Sequence, residues 1–337
     1  MNMRKILYLL PLAILFVSCE VEFSPNAEWK NIPVVYCLLD QDDDTTWVRV
    51  QRCYLVDDNI YNYGQNSDSI NYSQGAITVS LLAYENGVCK DSMDFHYLER
   101  DRDSGSFASK AQPLYWFETR NRLKENYTYV LTVRNAVDGS VLATTDPISL
   151  IKKTEETLIV QPQVSVFNGD TNYDISGLKF NKFIGHEAYC EIQWKALENA
   201  RLYQPIVRFY YGVQGKTKYV DLFCPKATSK TTTINYSRSQ FLADVKNIFE
   251  GDTTTKQYLA RVDLYLTCCT EELNIYLNNT SNTAVDASTQ GAFNNIHGGI
   301  GVFASRRTHL YKRMPCDNSM TVDRGLLYFL KELNVGF

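Results

Sequence analysis

Val34-Val35-Tyr36-Cys37-Leu38-Leu39 is a continuous apolar run, followed by the acidic stretch Asp40-Gln41-Asp42-Asp43-Asp44 and then by Trp47-Val48-Arg49-Val50-Gln51-Arg52. The first run is too short for a helix and suits a strand covered on both faces. In the third stretch Val48 and Val50 share one face while Arg49 and Gln51 share the other, which is the period-two alternation of a strand. Two such runs joined by a short acidic turn read as a β-hairpin. The pattern then continues: strands are predicted at 76–84, 93–99, 114–117, 127–135 and 141–151. Asn86-Gly87 and Asp138-Gly139 are the dipeptides that type I′ turns prefer, because both central residues need positive φ. Short strands and turns without βαβ alternation predict an antiparallel sandwich, immunoglobulin- or fibronectin-III-like, over residues 31–151.

Lys152-Lys153-Thr154-Glu155-Glu156 reads as a charged hinge into a second β-rich domain over 152–314. Strands are predicted near 158–166, 188–194, 206–212, 217–223, 231–236 and 258–267. A helix is predicted near 238–250, where Phe241, Leu242, Val245, Ile248 and Phe249 fall on one face. Ser237 with Gln240 has capping-box spacing and Gly251 lies just past the end. A shorter helix follows at 271–277, and 293–314 reads as a loop feeding a last strand. The 315–337 tail carries Leu326, Leu327, Phe329, Leu330 and Leu333, which suits a short docking helix or a frayed end. The predicted fold class is mainly β, with two antiparallel sandwich domains and one or two short helices in the second.

The first eighteen residues stand apart. Arg4 and Lys5 form a basic region, Ile6 to Val17 an apolar run broken by Pro11, and Ser18 is small, the pattern of a secretory signal. At about 1.5 Å per residue the run falls far short of the roughly 30 Å of a bilayer core. Phe16-Val17-Ser18-Cys19 resembles a bacterial lipobox, although Phe16 holds the place usually taken by Leu and Leu15 lies one residue further out. Cys19 is therefore the predicted lipidation site, with residues 19–30 as a tether; the alternative is a secreted protein with an early cysteine. Several acyl chains anchor durably where a single chain is marginal. Removing residues 1–18 takes away two bases and no acids, leaving 32 basic against 38 acidic residues.

The chain has 337 residues, 45% hydrophobic and 13% aromatic, which excludes wholesale disorder, and a net charge of −4 that leaves no basic excess for nucleic acid. Eight cysteines remain besides Cys19, and an even count in an exported chain permits disulfides. But Cys37 and Cys53 sit in strand-like runs, and vicinal Cys268-Cys269 is awkward to bridge. Buried thiols with at most one or two bridges are expected.

No catalytic, metal or cofactor site is predicted. Gly299-Ile300-Gly301-Val302-Phe303-Ala304 matches a dinucleotide fingerprint in letters, but the flanking residues do not supply the strand and helix that chemistry needs. Glycines that let the chain bend closely against a sheet explain it better. Asp40, Asp42, Asp43 and Asp44, and the spacing Asp101-Arg102-Asp103-Ser104-Gly105, offer oxygen ligands without the later Glu of a calcium loop. His96, His186, His297 and His309 lie in no recognisable nucleophile context, and His297 reads as a loop residue bonded to backbone. The candidate ligand-binding residues are Tyr61, Tyr63 and Tyr72, in or beside a long polar loop at 57–75. Tyrosine offers a flat apolar face with a polar rim, suited to sugar rings or a protein partner. A second tyrosine group is Tyr203, Tyr210 and Tyr211.

Four segments carry a family likeness. They are the Val-Val-Tyr-Cys-Leu-Leu-Asp strand after a lipobox, the Asp103-Ser104-Gly105-Ser106-Phe107 turn, Tyr127 to Val133 followed by Ala143-Thr144-Thr145, and Asn295-Ile296-His297-Gly298-Gly299-Ile300-Gly301-Val302-Phe303-Ala304-Ser305-Arg306. Together they resemble cell-envelope lipoproteins of the Bacteroidota that share a domain of unknown function. The resemblance implies a tandem β-sandwich, an outer-membrane location and the company of TonB-dependent transporters, with no established catalytic residues; the tail after Met314 departs from it. The expectation is a lipid-anchored, non-catalytic envelope protein, partnered by the membrane through its lipid and by an outer-membrane transporter or other envelope complex. Surface and periplasmic faces both stay open. The alternatives are a carbohydrate-binding or adhesion module using loop tyrosines, and an envelope hydrolase whose two carboxylates come from distant strands.

Overall fold

The computed structural model describes residues 30–53, 67–101, 111–153, 165–167, 170–172, 182–213, 216–228, 230–249, 257–281 and 293–315. The predicted signal, Cys19, the tether before Lys30, Tyr61, Tyr63 and the tail after Pro315 lie outside them.

The opening hairpin forms as read. β1 (Pro33–Leu39) and β2 (Thr45–Arg52) pair antiparallel with Val35 opposite Val50 and Cys37 opposite Val48. A one-turn α1 (Ser67–Ile70) precedes β3 (Ile77–Glu85), β4 (Val88–Asp94), β5 (His96–Asp101), β6 (Ala111–Glu118), β7 (Thr128–Asn135), β8 (Val141–Thr145) and β9 (Ile148–Ser149). Asn86 and Gly87 both take positive φ, 51° and 78°, as a type I′ turn requires. The second dipeptide behaves differently: Gly139 alone is positive, at 71°, and its N–H bonds to the Asn135 carbonyl. The longer loop lets Asp138 keep negative φ and cap Ser140 N at 2.9 Å.

The strand expected at 93–99 is two strands. Asp94 closes β4, which pairs with β3, and His96 opens β5, which pairs with β6 in the other sheet. Phe95 marks the crossing, buried and stacked edge-on against Phe117 at 4.8 Å. β4 is exposed at every position but Met93, so it carries no alternation from which the break could be read.

The second half holds β10 (Ser165–Phe167), β11 (Asp170–Asn172), β12 (Lys182–Ile184), β13 (Glu187–Gln193), β14 (Leu202–Val213), β15 (Lys216–Phe223), β16 (Ala227–Thr228) and β17 (Thr233–Ser237). α2 (Arg238–Phe249), β18 (Gln257–Cys269), α3 (Glu271–Ser281), β19 (Ile296–His297) and β20 (Ile300–Pro315) complete it. α2 starts where Ser237 Oγ accepts from Gln240 N at 3.1 Å. The Gln240 side chain turns instead to Asp244 (2.7 Å), so only half of the capping box forms. Phe241 and Val245 are its buried face.

One sheet runs through both halves in the order β15-β14-β18-β20-β1-β2-β6-β5, with β16 beside β14. A second sheet has the order β19-β8-β7-β3-β4, and smaller sheets join β12-β13-β17 and β10-β11. Among the described residues, pairing is antiparallel except between β1 and β20. The sixteen-residue β20 joins the halves: Ile300 to Ser305 pairs parallel with Val34 to Leu39, and Arg306 to Pro315 pairs antiparallel with β18. The first half of the molecule is thus completed by residues far away in sequence.

Period-two alternation decides what is inside. Val35, Cys37, Leu39, Val48, Val50 and Phe117 from one sheet face Val79, Leu81, Met93, Leu131 and Val133 from the other. Ile296 and Phe303 close the same core from the chain's far end, and burying a Phe contributes roughly 1.5–3 kcal/mol. In the second half Trp194, Tyr203, Phe209, Tyr236 and Leu264 pack under α2. Gly301 adopts φ +131°, and a Cβ there would collide with the Val35 carbonyl oxygen. At Gly298 (φ +76°) a Cβ would lie 2.6 Å from the Leu142 carbonyl oxygen. The glycine-rich segment is a close approach of backbone to backbone.

Candidate functional site

The two faces of the opening hairpin have different fates. Its inner residues fill the core; its outer residues, Tyr36 and Leu38 on β1, lie under α3, with Leu273, Val302 and Ala304 in the same cluster. Tyr36 meets Tyr276 of α3 edge-on at 6.2 Å, and the Arg49 guanidinium lies 4.7 Å from the Tyr36 ring. Among the described residues, the apolar face of α3 packs on β1 and β20.

Beyond it the outer face carries a row of aromatic rings. Cross-strand register places Trp47 of β2 opposite Trp116 of β6, and Trp116 opposite His96 of β5. The indoles are 6.2 Å apart at 36°, and His96 is 5.6 Å from Trp116. Both indoles are half-buried and His96 is exposed. Leu98, opposite Leu114, extends the apolar surface, and the Arg100 guanidinium lies 4.8 Å over Trp47. Such pairs are the unit of sheet stabilisation, yet a purely stabilising set would not need to stand outside the core.

At the end of this row is a cleft of ≈ 430 Å³ lined by Asp44, Thr45, Asp94, His96, Trp116, Phe117, Glu118, Arg120 and Arg122. Three of its charged side chains are already engaged: Glu118 with Arg120 at 3.0 Å, and Arg122 with Asp91 at 3.6 Å. The carboxylates of Asp44 and Asp94 have no hydrogen-bond or ion-pair partner among the described residues. The arrangement can stack a flat or ring-shaped group on indole and accept hydrogen bonds from its hydroxyl or amino groups. Among the described residues no group of three or more His, Cys, Asp or Glu is placed to hold a metal ion.

No protein-family model matches this sequence, and no curated protein matches it either.

The tyrosines predicted to bind ligand fare unequally. Tyr72 is buried in the first core, and its hydroxyl donates to Asn31 Oδ1 at 2.7 Å. Burial pushes its pKa up to about 12, and a ring held this way has no face to offer a ligand. Tyr203 is also core, accepting from Leu197 N. Tyr210 lies on the outer face of β14, 5.7 Å from Tyr219, and nearby Arg208 sits between the rings of Tyr219 and Tyr265 at 4.4 and 4.5 Å. Arg208 is held by Asp221 at 2.6 and 2.8 Å, a bidentate pair that raises its pKa.

The acidic turn after β1 engages two arginines of β20. Arg307, nearly fully buried, donates to Asp42 at 2.7 and 3.0 Å, to Glu125 at 2.8 Å and to the Ile151 carbonyl at 2.9 Å. Gln41 reaches the same carbonyl at 2.8 Å. Burial works to lower the Arg307 pKa, and its hydrogen bonds to Asp42 and Glu125 outweigh that. Arg306 lies 3.8 Å from Asp40 and 3.5 Å from Asp43. Burial pushes Asp40 up to about 6 despite the Asp42 N–H it accepts.

His297 bonds to a carboxylate, Asp146 at 2.6 Å, where a backbone partner was expected. Both groups are exposed, and among the described residues no Ser or Cys side chain bonds to the pair. Seven cysteines are described, all as free thiols, with Cys37, Cys190, Cys224, Cys268 and Cys269 buried. Burial pushes Cys268 and Cys269 up to about 12, so neither is primed as a nucleophile.

Trp47, Trp116 and His96 went unnoticed in the sequence as a group because 69 residues separate the two indoles. The signal was there: Trp47 shares its face with Arg49, and Trp116 alternates with the buried Tyr115 and Phe117.

Proposed function

We propose that the protein is a lipid-anchored, non-catalytic component of the bacterial cell envelope, built of two β-sandwich domains and acting as a binding or accessory subunit at the outer membrane. Its partner is an outer-membrane transporter or another envelope complex. The observation that supports this best is the contrast on one sheet face, where α3 covers β1 and β20 while, among the described residues, no helix lies over the half-buried Trp47 and Trp116 and the exposed His96 on β2, β6 and β5. Aromatic residues left at a surface in a row are what recognition sites use. The test is recovery of partners from detergent-solubilised membranes by wild-type protein and by Trp47→Ala/Trp116→Ala. Wild type recovers a stable partner that the double variant loses while keeping its melting temperature within a few degrees. Equal recovery by both would remove the row from the site.

A second reading is favoured by the cleft. Two uncommitted carboxylates, Asp44 and Asp94, beside Trp116 suit hydroxyl groups on a ring stacked against the indole, the chemistry of a glycan. Binding on a glycan array that Trp116→Ala abolishes would select this reading; silence of the wild type on the array would dismiss it.

A further inference from the structure

Strand directions place several separate segments at one pole of the first half. β1 begins at Pro33, where the chain enters from the tether side, and Pro33 is opposite Arg52 at the end of β2. β20 begins beside it, with Ile300 opposite Val34 in parallel register. A Cβ on Gly299 would lie 2.6 Å from the Pro33 carbonyl oxygen, and one on Gly298 the same distance from the Leu142 carbonyl oxygen. The start of β8 is therefore at this pole too, and so is the loop from Ala136 to Ser140 that joins it to the end of β7.

This pole exposes apolar side chains. Val137, in the loop, is 92% exposed, Val141 50% and Ile300 45%. Val137 occupies a structured position: its N–H bonds to Asn135 Oδ1 at 2.9 Å, and Gly139 and Ser140 close the loop back onto Asn135. Three aliphatic side chains exposed at one pole, one of them on a loop held by its own hydrogen bonds, offer apolar area that a lipid interface would cover.

What lies next to the pole is set by the chain. Residue 30 enters here, and the eleven-residue step back to Cys19 spans at most ~40 Å even fully drawn out, at 3.3–3.6 Å per residue. Described charges at the pole are mixed in sign: Lys30, Arg52 and Arg134 with Asp68 and Asp138. Arg52 is turned inward onto the carbonyls of Ser69 and Asp68, and Arg134 onto that of Gly139 at 3.2 Å. A contact made here is apolar in origin and insensitive to salt.

We propose that this pole is the surface the anchored protein lays against the membrane, with Val137 placed in the lipid interface and Val141 and Ile300 at its edge. The proposal rests on lipidation at Cys19. It gives the molecule a direction. The turn at Asp40–Asp44, the end of β6 and the start of β5 are at the opposite ends of these strands, so the aromatic cleft points away from the bilayer. β20 carries the second half further out.

The test uses the full-length lipidated protein in phosphatidylethanolamine/phosphatidylglycerol vesicles, on a Cys53→Ser/Cys89→Ser/Cys316→Ser background that removes the two thiols not buried among the described residues and the one outside them. Bimane is placed at Val137→Cys or, as the far-end reference, at Arg120→Cys, and quenching by doxyl lipids is read. At least threefold stronger quenching at 137 than at 120, unchanged between 50 and 500 mM salt, is expected. Equal quenching at both sites in vesicle-bound protein overturns the proposal and leaves lipid anchoring standing. Fractionation of Cys19→Ser with membranes just as wild type, with bimane at 137 still quenched, would overturn the anchoring reading and support the pole. Val137→Asp/Val141→Asp in Cys19→Ser protein is expected to lower residual vesicle binding about tenfold; no change counts against the pole.

Discussion

Replacing Arg307 by Met is the sharpest probe of how the two halves are held. The guanidinium is 3% exposed and makes four hydrogen bonds, two to Asp42, one to Glu125 and one to the Ile151 carbonyl. Removing one partner of a buried ion pair costs about 3–5 kcal/mol, most of it from charges left behind. Asp42 and Glu125 keep about a third of their side-chain exposure, 34% and 33%, so both can rehydrate, and the expected loss lies at the low end, about 3 kcal/mol. Urea unfolding followed by tryptophan fluorescence would measure it, and the melting temperature should fall by about 6–12 °C. Arg307→Lys keeps the charge but cannot reproduce the bidentate geometry, and should lose about half as much. The triple variant Arg307→Met/Asp42→Asn/Glu125→Gln removes the orphaned charges and should recover most of the loss. A loss below about 1 kcal/mol for Arg307→Met, or no recovery in the triple variant, would refute the reasoning.

Two further outcomes follow from single residues. Asp40 has a folded-state pKa of about 6 against an ordinary 3.8, so the folded form holds the proton more tightly and stability falls as pH rises from about 4 to 6. Asp40→Asn should abolish that fall, gaining up to about 3 kcal/mol on wild type above pH 6 and nothing below pH 4, in melts taken across the range. Gly301→Ala should cost more than about 2 kcal/mol, because its Cβ meets the Val35 carbonyl in a backbone conformation hostile to side chains. Gly87→Ala, with positive φ but open space, should cost only about 1 kcal/mol, and equal losses in the two melts would contradict this account.

What was legible in the sequence was local. Alternation at 47–52, the Asn86-Gly87 turn and the Ser237 cap each involve neighbours along the chain; the first two form as read and the third forms without the return bond from Gln240. The glycines at 298–301 were legible as a close approach, but not what they approach, since nothing near Gly301 points to Val35. Tyr72 was misjudged because a tyrosine beside a polar loop offers the same letter whether its hydroxyl meets water or Asn31. The aromatic row was readable one strand at a time and became a site only when β2, β6 and β5 came into register. The acidic turn resisted for the same reason: its arginine partner is 265 residues away.

The placement of β20 has a consequence for how the molecule comes into being. β1 is made early, yet the strand that covers its open side begins only at Ile300. At 5–20 residues per second of synthesis, roughly 15–50 s separate the two, and passage across a membrane would stretch that interval. Throughout it a bare strand edge with its amides unpaired is an invitation to other chains. A polypeptide of this design calls for a companion that shields it during its making, and it cannot be trimmed near residue 151 into a self-sufficient fragment.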